Sequence, residues 1–549
     1  MSGRRYLALG VVAGAVPLAV LLVFFALPVA GMLQRGFFPD GRLDLDGAAA
    51  ALWRPRVGQA VWFTAWSASA ATALTVALGV PTAFVLHRLR FPGQRLLRGL
   101  VVAPFVLPTV VVGVAFRTLL SVSGPLGGLG LDGTPAAIVA ALVFFNVSVV
   151  VRTVGPWWEG MDPRREEAAA ALGASPVRVL TTVTLPALRP AIVSAASVVF
   201  LFSATAFGVV LTMGGVRYST VETEIYLLTT QFLDLQAAAA LCVLQIVVVV
   251  GLLAVAGRTG AGRDRPVDRA DRRTTNRRPA LRDLPALGVT GVVVLLVTLP
   301  LATLVVRSLR VDGTWSLAFY RRLQQADSTE AYVVPLSTAL SNSLRVAFDA
   351  TLLAVTLGTV VAVLVTRRVA GPVARRTLSA FDGVFMLPLG VSAVTVGFGL
   401  LVTLDRPPFD FRGSPWLVPV AQAMVALPLV VRTVVPALRG VDDRQREAAA
   451  SLGASPLRVL ASVDLAVAWR PLLAATGFAF AVSLGEFGAT SFLARPDTPT
   501  LPVMVYQLIS QPGGEGFGGA LAASVVLGLV TSVVMAGVER TRVPGAGAF

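Results

Sequence analysis

Apolar runs long enough to cross a bilayer recur along almost the whole chain, and no other feature restricts its fold as severely. They fall near residues 7–32, 57–86, 99–121, 135–158, 190–213 and 235–257, then near 284–306, 340–366, 377–404, 415–438, 471–494 and 516–538. A lipid core about 30 Å thick takes roughly 20 apolar residues as a helix, and only helices satisfy their own backbone without water in runs of this kind. Twelve spans are therefore expected, six in each half, several of them long enough to tilt. With 55% hydrophobic and 14% charged residues and a mean hydropathy of +0.77, the chain does not divide into soluble domains.

Arginine placement sets the orientation, because the sequence contains no lysine. If the first span starts inside, Arg4, Arg5, Arg88, Arg90, Arg95, Arg98, Arg164, Arg165 and Arg178 all fall on the cytoplasmic side, as do Arg367, Arg368, Arg375, Arg376, Arg444, Arg446, Arg458, Arg540 and Arg542. The net charge of +16 thus reads as a topology signal, and no basic stripe interleaved with aromatics points to nucleic acid. Residues 258–283, with nine arginines and four aspartates, read as a disordered cytoplasmic linker between a first repeat at 1–257 and a second at 284–549. As a coil it would reach roughly 25 to 30 Å, enough to join adjacent six-helix bundles in parallel repeat.

The repeat is visible residue by residue. Glu167-Ala168-Ala169 leading to Gly173 returns as Glu447-Ala448-Ala449 leading to Gly453, an offset of 280. Leu107-Pro108, Arg152-Thr153-Val154, Pro156, Phe207-Gly208 and Tyr226 find their counterparts at Leu387-Pro388, Arg432-Thr433-Val434, Pro436, Phe487-Gly488 and Tyr506. Each polar element encodes two short helices at an angle. Asp162 caps the first, with Glu166 and Glu167 in its opening turns, and Gly173 supplies a left-handed stop. Ser175-Pro176 starts the second, which Pro186 is expected to end. Asp442, Gly453, Ser455-Pro456 and Arg458 repeat the plan, whereas Pro186 becomes Ala466.

Catalytic chemistry has little to build on. A phosphate-binding loop of the Walker type and a Schiff-base enzyme both need lysine, so the chain is expected not to be an enzyme and to hold no cofactor or metal. His87 and Cys242 are the single histidine and cysteine, read as an interfacial anchor and a buried hydrophobe. The first apolar run is too long for a cleaved signal peptide. Inside the spans, Glu486 would cost about 2.5 to 3.5 kcal/mol if ionised at the bilayer centre, so it must face protein or water. A pathway residue and a brace between helices are equal readings for it; Asn146 and Asn342 are weaker candidates. Pro104, Pro108 and Pro388 are expected to kink their spans.

The pattern Glu-Ala-Ala, three residues, Gly, nine residues and aliphatic-x-Leu-Pro resembles the cytoplasmic signature of permease subunits of ATP-binding-cassette importers. Phe144-Phe145-Asn146, Gly214-Gly215 with Ser219-Thr220-Val221-Glu222, and Gly485-Glu486-Phe487-Gly488 with Thr500-Leu501-Pro502 are similar to the thiamine, ferric-iron, sulfate and molybdate branch. A fused twelve-helix chain is typical of its thiamine and ferric-iron types. The resemblance implies an all-α polytopic type I permease in a bacterial plasma membrane, with both termini cytoplasmic. It further implies two cytoplasmic ATPase subunits and an extracytoplasmic substrate-binding protein as partners, and alternating access as the mechanism. Glu167, Ala168, Ala169, Gly173, Arg178, Glu447, Ala448, Ala449, Gly453 and Arg458 would be the ATPase-coupling residues, and Glu486 and Asn146 pathway residues. Thiamine or a related cation ranks first as cargo and ferric iron second, with sulfate or molybdate behind them. A secondary transporter is the rival class, and one lone acid is a thin basis for ion coupling. Reporter fusions after Arg269 and at the C-terminus are expected to read cytoplasm, and one near Asp132 outside; an external signal after Arg269 would overturn the twelve-helix count.

Overall fold

The computed structural model describes residues 14–39, 41–260, 277–325, 334–367, 372–405, 407, 410–511 and 514–541. Arg4, Arg5, Arg269, Arg368, Arg542 and residues 261–276 of the linker lie outside them. Among the described residues, ten unbroken helices are long and apolar enough to cross a membrane: Gly14–Phe37, Pro55–Arg88, Pro135–Glu159, Pro176–Ala204, Leu235–Leu252, Leu281–Ser308, Leu336–Thr366, Leu417–Arg439, Pro456–Leu484 and Gly516–Val538. The two remaining apolar runs are broken where the prolines stand. Helices Gln94–Val106 and Thr109–Leu120 meet at 108°, because Leu107 precedes a proline and is driven out of the helical region to ψ 138°. In the second repeat a tight turn at Leu387–Gly390 separates Pro372–Met386 from Ala393–Thr403, which Ser392 caps by accepting from the Thr395 N–H at 3.0 Å. Among the described residues the fold is helical, with one short hairpin, Arg310–Val311 paired with Thr314–Trp315, and an isolated bridge between Leu89 and Arg277.

Two compact units emerge, and they are a different division from the linear repeats. One gathers described residues of 14–54, 224–247 and 317–541; the other gathers 55–223 and 248–316. In the first unit the opening span lies against Ala393–Thr403, so closely that a methyl group added at Gly399 would lie 3.0 Å from Cβ of Pro28. In the second unit Leu281–Ser308 packs on Pro55–Arg88 and Thr109–Leu120. The first span of each repeat therefore joins the unit built mainly from the other repeat. Small residues make such close packing available in lipid, where burying apolar surface gains little and contact distance decides.

Matched contacts in the two units fix how the repeats align. A methyl group added at Gly79 would lie 2.7 Å from Cβ of Val150, and one at Gly358 would lie 2.8 Å from Cγ1 of Val430. Thr64 Oγ1 accepts from Val221 N at 2.9 Å, and Ser343 Oγ accepts from Leu501 N at 2.7 Å. Both pairs put Pro55–Arg88 and Leu336–Thr366 at an offset of 279, one short of the 280 that holds downstream, so Arg88 corresponds to Arg367.

The end of the linker is ordered, contrary to the reading of 258–283 as wholly disordered. Arg277 grips Asp283 through two donated bonds of 2.6 Å, and its backbone carbonyl accepts from Arg90 N at 2.9 Å. A bidentate arginine–carboxylate pair is strong enough to hold so polar a segment in place. Cys242 is fully buried. His87 is buried too, its Nδ1 lying 2.7 Å from Glu159 Oε1, an oxygen that also accepts from Arg98.

Candidate functional site

Local chemistry builds the two Glu-Ala-Ala elements in the same way. Asp162 Oδ1 accepts from Arg164 N at 3.0 Å and Asp442 Oδ1 from Arg444 N at 3.0 Å, opening helices Arg164–Ala171 and Asp443–Ser451. At the far end Gly173 (φ +84°) and Gly453 (φ +81°) take the left-handed conformation. Gly173 N donates to Ala170 O and Ala174 N to Ala169 O; Gly453 and Ala454 repeat both bonds onto Ala450 and Ala449. These paired bonds close each helix in the 6→1, 5→2 pattern that glycine permits. The alanines of the motif thus supply the carbonyls that the glycine turn consumes.

Beyond the turn the structure departs from the sequence reading. Ser175 and Ser455 cap the next helix through Arg178 N and Arg458 N as expected, but Pro186 does not end it. The helix continues through a wide π turn at Leu180–Thr184 into Leu185–Ala204, where Leu185 N bonds Leu180 O. Widening the turn by one residue removes the four-back bond that a proline nitrogen cannot donate. Ala466 occupies the same place in the second copy and the π turn still forms, at Leu460–Asp464. The proline is therefore accommodated by this turn and is not its cause.

Glu167, Ala168, Gly173 and Arg178 are exposed, as are Glu447, Ala448, Gly453 and Arg458, while Ala169 and Ala449 are half-buried. Each tip also carries bare aliphatic side chains that the motif did not single out. Leu172 is 90% exposed and Leu452 89%, and Val177 and Leu457 are 70% exposed. The signal was available in the sequence as an aliphatic residue immediately before each glycine. On the inner side the carboxylate in use is Glu166, not Glu167: it accepts from Arg88 Nη2 at 2.6 Å and from Thr184 Oγ1 at 2.7 Å. In the second copy Asp464 accepts from Arg446 Nε at 2.7 Å and from Arg367 Nη2 at 3.0 Å, while Arg446 Nη1 donates to Asp443 Oδ1. Burial by itself weakens the Arg446 cation; its bonds to Asp464 and Asp443 outweigh that and raise its pKa above the ordinary arginine value.

The residues singled out inside the spans are braced. Glu486 stands in the break after Leu465–Leu484 and is 7% exposed. Its Oε1 accepts from Ala489 N at 2.7 Å and its Oε2 from Thr490 N at 3.0 Å and from Thr490 Oγ1, a hydroxyl that in turn accepts from Gln422 Nε2 at 3.0 Å. Its carboxylate thus serves the backbone that the broken helix leaves unpaired. Asn146 Nδ2 donates to Leu142 O at 2.9 Å and to Ser203 Oγ at 3.3 Å, tying two spans together, and Oδ1 has no partner among the described residues. Asn342 donates to Pro499 O. Nearby in the same unit as Glu486, Tyr226 lies edge-on to Phe492 with ring centres 5.4 Å apart and to its repeat equivalent Tyr506 at 6.1 Å; Phe487 meets Tyr506 at 5.4 Å. Removing the Glu486 acceptors orphans two buried N–H groups, so Glu486→Ala is expected to lower stability by about 1–3 kcal/mol, read as a drop in the unfolding midpoint in detergent. Glu486→Gln keeps one oxygen and is expected to lose less; equal midpoints for all three proteins would refute the brace.

The sequence matches, twice over, the family described as "Binding-protein-dependent transport system inner membrane component", at residues 75–258 and 354–542. It is similar to the thiamine transport system permease protein ThiP of Brucella abortus, 28% identical over 547 residues, covering 96% of this chain and 95% of that one. ThiP of Escherichia coli is 28% identical over 498 residues, covering 85% and 86% of the two chains. The sulfate transport system permease protein CysT of Escherichia coli is 35% identical over 195 residues, 34% of this chain and 70% of that protein.

Proposed function

The chain belongs to the family of binding-protein-dependent transport system inner membrane components, carrying its domain twice in tandem, and from that premise we propose that it forms the whole membrane pathway of an ATP-driven type I importer of thiamine. The observation that carries the coupling half of this reading is the doubled, exposed, glycine-closed element. Leu172 and Leu452 stand bare on the same elements as the exposed Glu167 and Glu447, so each element offers an apolar knob and an acid, which suits insertion into a cleft on an ATPase subunit. One such subunit per element, with a binding protein on the opposite face, makes the assembly symmetric in plan. Both elements and both termini are cytoplasmic in this reading. ATP-driven closure of the subunits draws the elements together and biases the spans toward the outward-open arrangement; hydrolysis releases them.

Thiamine as cargo rests on the similarity to ThiP along nearly the full length of both chains. The aromatic group of Tyr226, Tyr506, Phe487 and Phe492 agrees with it, since ring faces attract organic cations without the hard oxygen ligands that ferric iron requires. Glu486 enters as a brace that shapes the wall, because its oxygens are already engaged; Asn146, whose Oδ1 has no partner among the described residues, is the stronger candidate to meet cargo.

Two experiments test this reading. A Leu172→Asp, Leu452→Asp protein is expected to insert normally yet lose its ATPase subunits on co-purification, as is a Glu167→Arg, Glu447→Arg protein, and retention with undiminished uptake in both would sink the docking assignment. Vesicles holding the complete complex are expected to accumulate labelled thiamine only with ATP and binding protein present. Accumulation of ferric iron in place of thiamine would reassign the cargo and leave the permease standing.

A further inference from the structure

Behind each exposed element lies a polar knot built on a buried turn residue, and the two knots are wired with opposite polarity. Three segments meet in each: the C-terminal end of a long span (Arg88 or Arg367), the inner face of the short helix (Glu166 or Arg446), and the last residue of the π turn (Thr184 or Asp464). Position 166 corresponds to 446 and position 184 to 464 at the offset of 280, and Arg88 to Arg367 at 279. The arginine on the span is thus common to both, but the carboxylate has changed places. In the first copy it sits on the short helix and a threonine answers from the turn; in the second it sits on the turn and an arginine answers from the short helix. Thr184 and Asp464 are 3% and 2% exposed, so each knot is closed to water on the turn side.

Each carboxylate is held at both oxygens by different segments, so it cannot rotate away from one without losing the other. Neither short helix buries a residue of its own, and the knot is what ties its inner face to the membrane-spanning helices. We propose that Arg88–Glu166–Thr184 and Arg367–Asp464–Arg446 are transmission struts: positioning residues through which displacement of the exposed elements reaches the spans Pro55–Arg88 and Leu336–Thr366, each strut being a self-contained module that works in either polarity. The inference rests on the docking reading of the exposed elements and adds the path that follows docking.

The test uses the complete complex in vesicles and reads labelled thiamine transported per ATP hydrolysed, together with the amount of ATPase subunit bound. Glu166→Arg sets an arginine against Arg88 with no acid between them, and Thr184→Asp adds a second acid beside Glu166. Each change alone is expected to lower the transport-to-hydrolysis ratio on the order of tenfold with the ATPase subunits still bound. The double change Glu166→Arg, Thr184→Asp installs the wiring of the second copy and is expected to restore the ratio. Should Glu166→Arg fail to insert, Glu166→Gln, which keeps the size and one acceptor, is expected to lower the ratio in the same direction. A merely structural role would reduce the yield of complex and leave the ratio alone, so an unmoved ratio in the single variants overturns the struts. Failure of the double change to rescue overturns them too, and loss of ATPase subunits from Glu166→Arg would reassign that residue to the docking face. Subunits that never bind the unaltered chain would instead overturn the docking reading, and the struts with it.

Discussion

A backbone in lipid has no water to fall back on, and the rest of this structure follows from how that single requirement is met. Along the unbroken helices the chain meets it alone. At several breaks a side chain is brought in: Ser392 at the start of Ala393–Thr403, Glu486 ahead of Thr490–Leu493, Thr64 and Ser343 on the N–H groups of Val221 and Leu501. Glu486 was open to two readings in the sequence, a pathway residue and a brace, and its bonds to Ala489 and Thr490 give it the work of a cap. A buried acid in an apolar run is costly enough to demand a role, and capping is one.

Helix ends were legible because capping is local. Asp162, Ser175 and Gly173 each act on atoms within a few residues, and their bonds appear where residue type and spacing place them. Of the twelve expected spans, ten appear among the described residues as unbroken helices and an eleventh as a bent pair, while the run at 377–404 is broken at Leu387–Gly390 into pieces too short to count as spans. The runs at 190–213 and 471–494 start too late, because their helices begin at Pro176 and Pro456. Legibility failed where the deciding atoms lie far off in sequence. Arg88 reaches Glu166 across 78 residues, so nothing near Glu166 told it apart from Glu167, and it is Glu166, not the more conspicuous acid of the motif, that bonds Arg88 and Thr184. Pro186 misled for a related reason. A proline is a helix breaker only against a standard four-back bond, and the π turn that removes this bond has no residue signature, since it forms over Ala466 as well.

The compact units add a second lesson about duplication. Six spans in a row are a unit of inheritance, but Gly14–Phe37 and Leu281–Ser308 each pack with helices drawn mainly from the other repeat. Neither repeat carries within itself every helix of its own packed body. A fused chain ties that exchange into one polypeptide, and residues 277–283 just ahead of the second repeat are anchored by Arg277 and Asp283.

The reversed polarity of the two knots reaches beyond the protein to the gene that encodes it. Duplicated halves of a gene tend to overwrite one another by conversion, which keeps tandem copies alike. Here a conversion tract ending anywhere between codons 166 and 184, or between 446 and 464, would pair Glu166 with an aspartate, two acids on one strut, or leave an arginine facing Arg88 across a threonine. Both hybrids place like charges together beside a turn residue that is closed to water. The partners stand eighteen positions apart in each copy, so such a tract carries the wiring over intact only when it spans both.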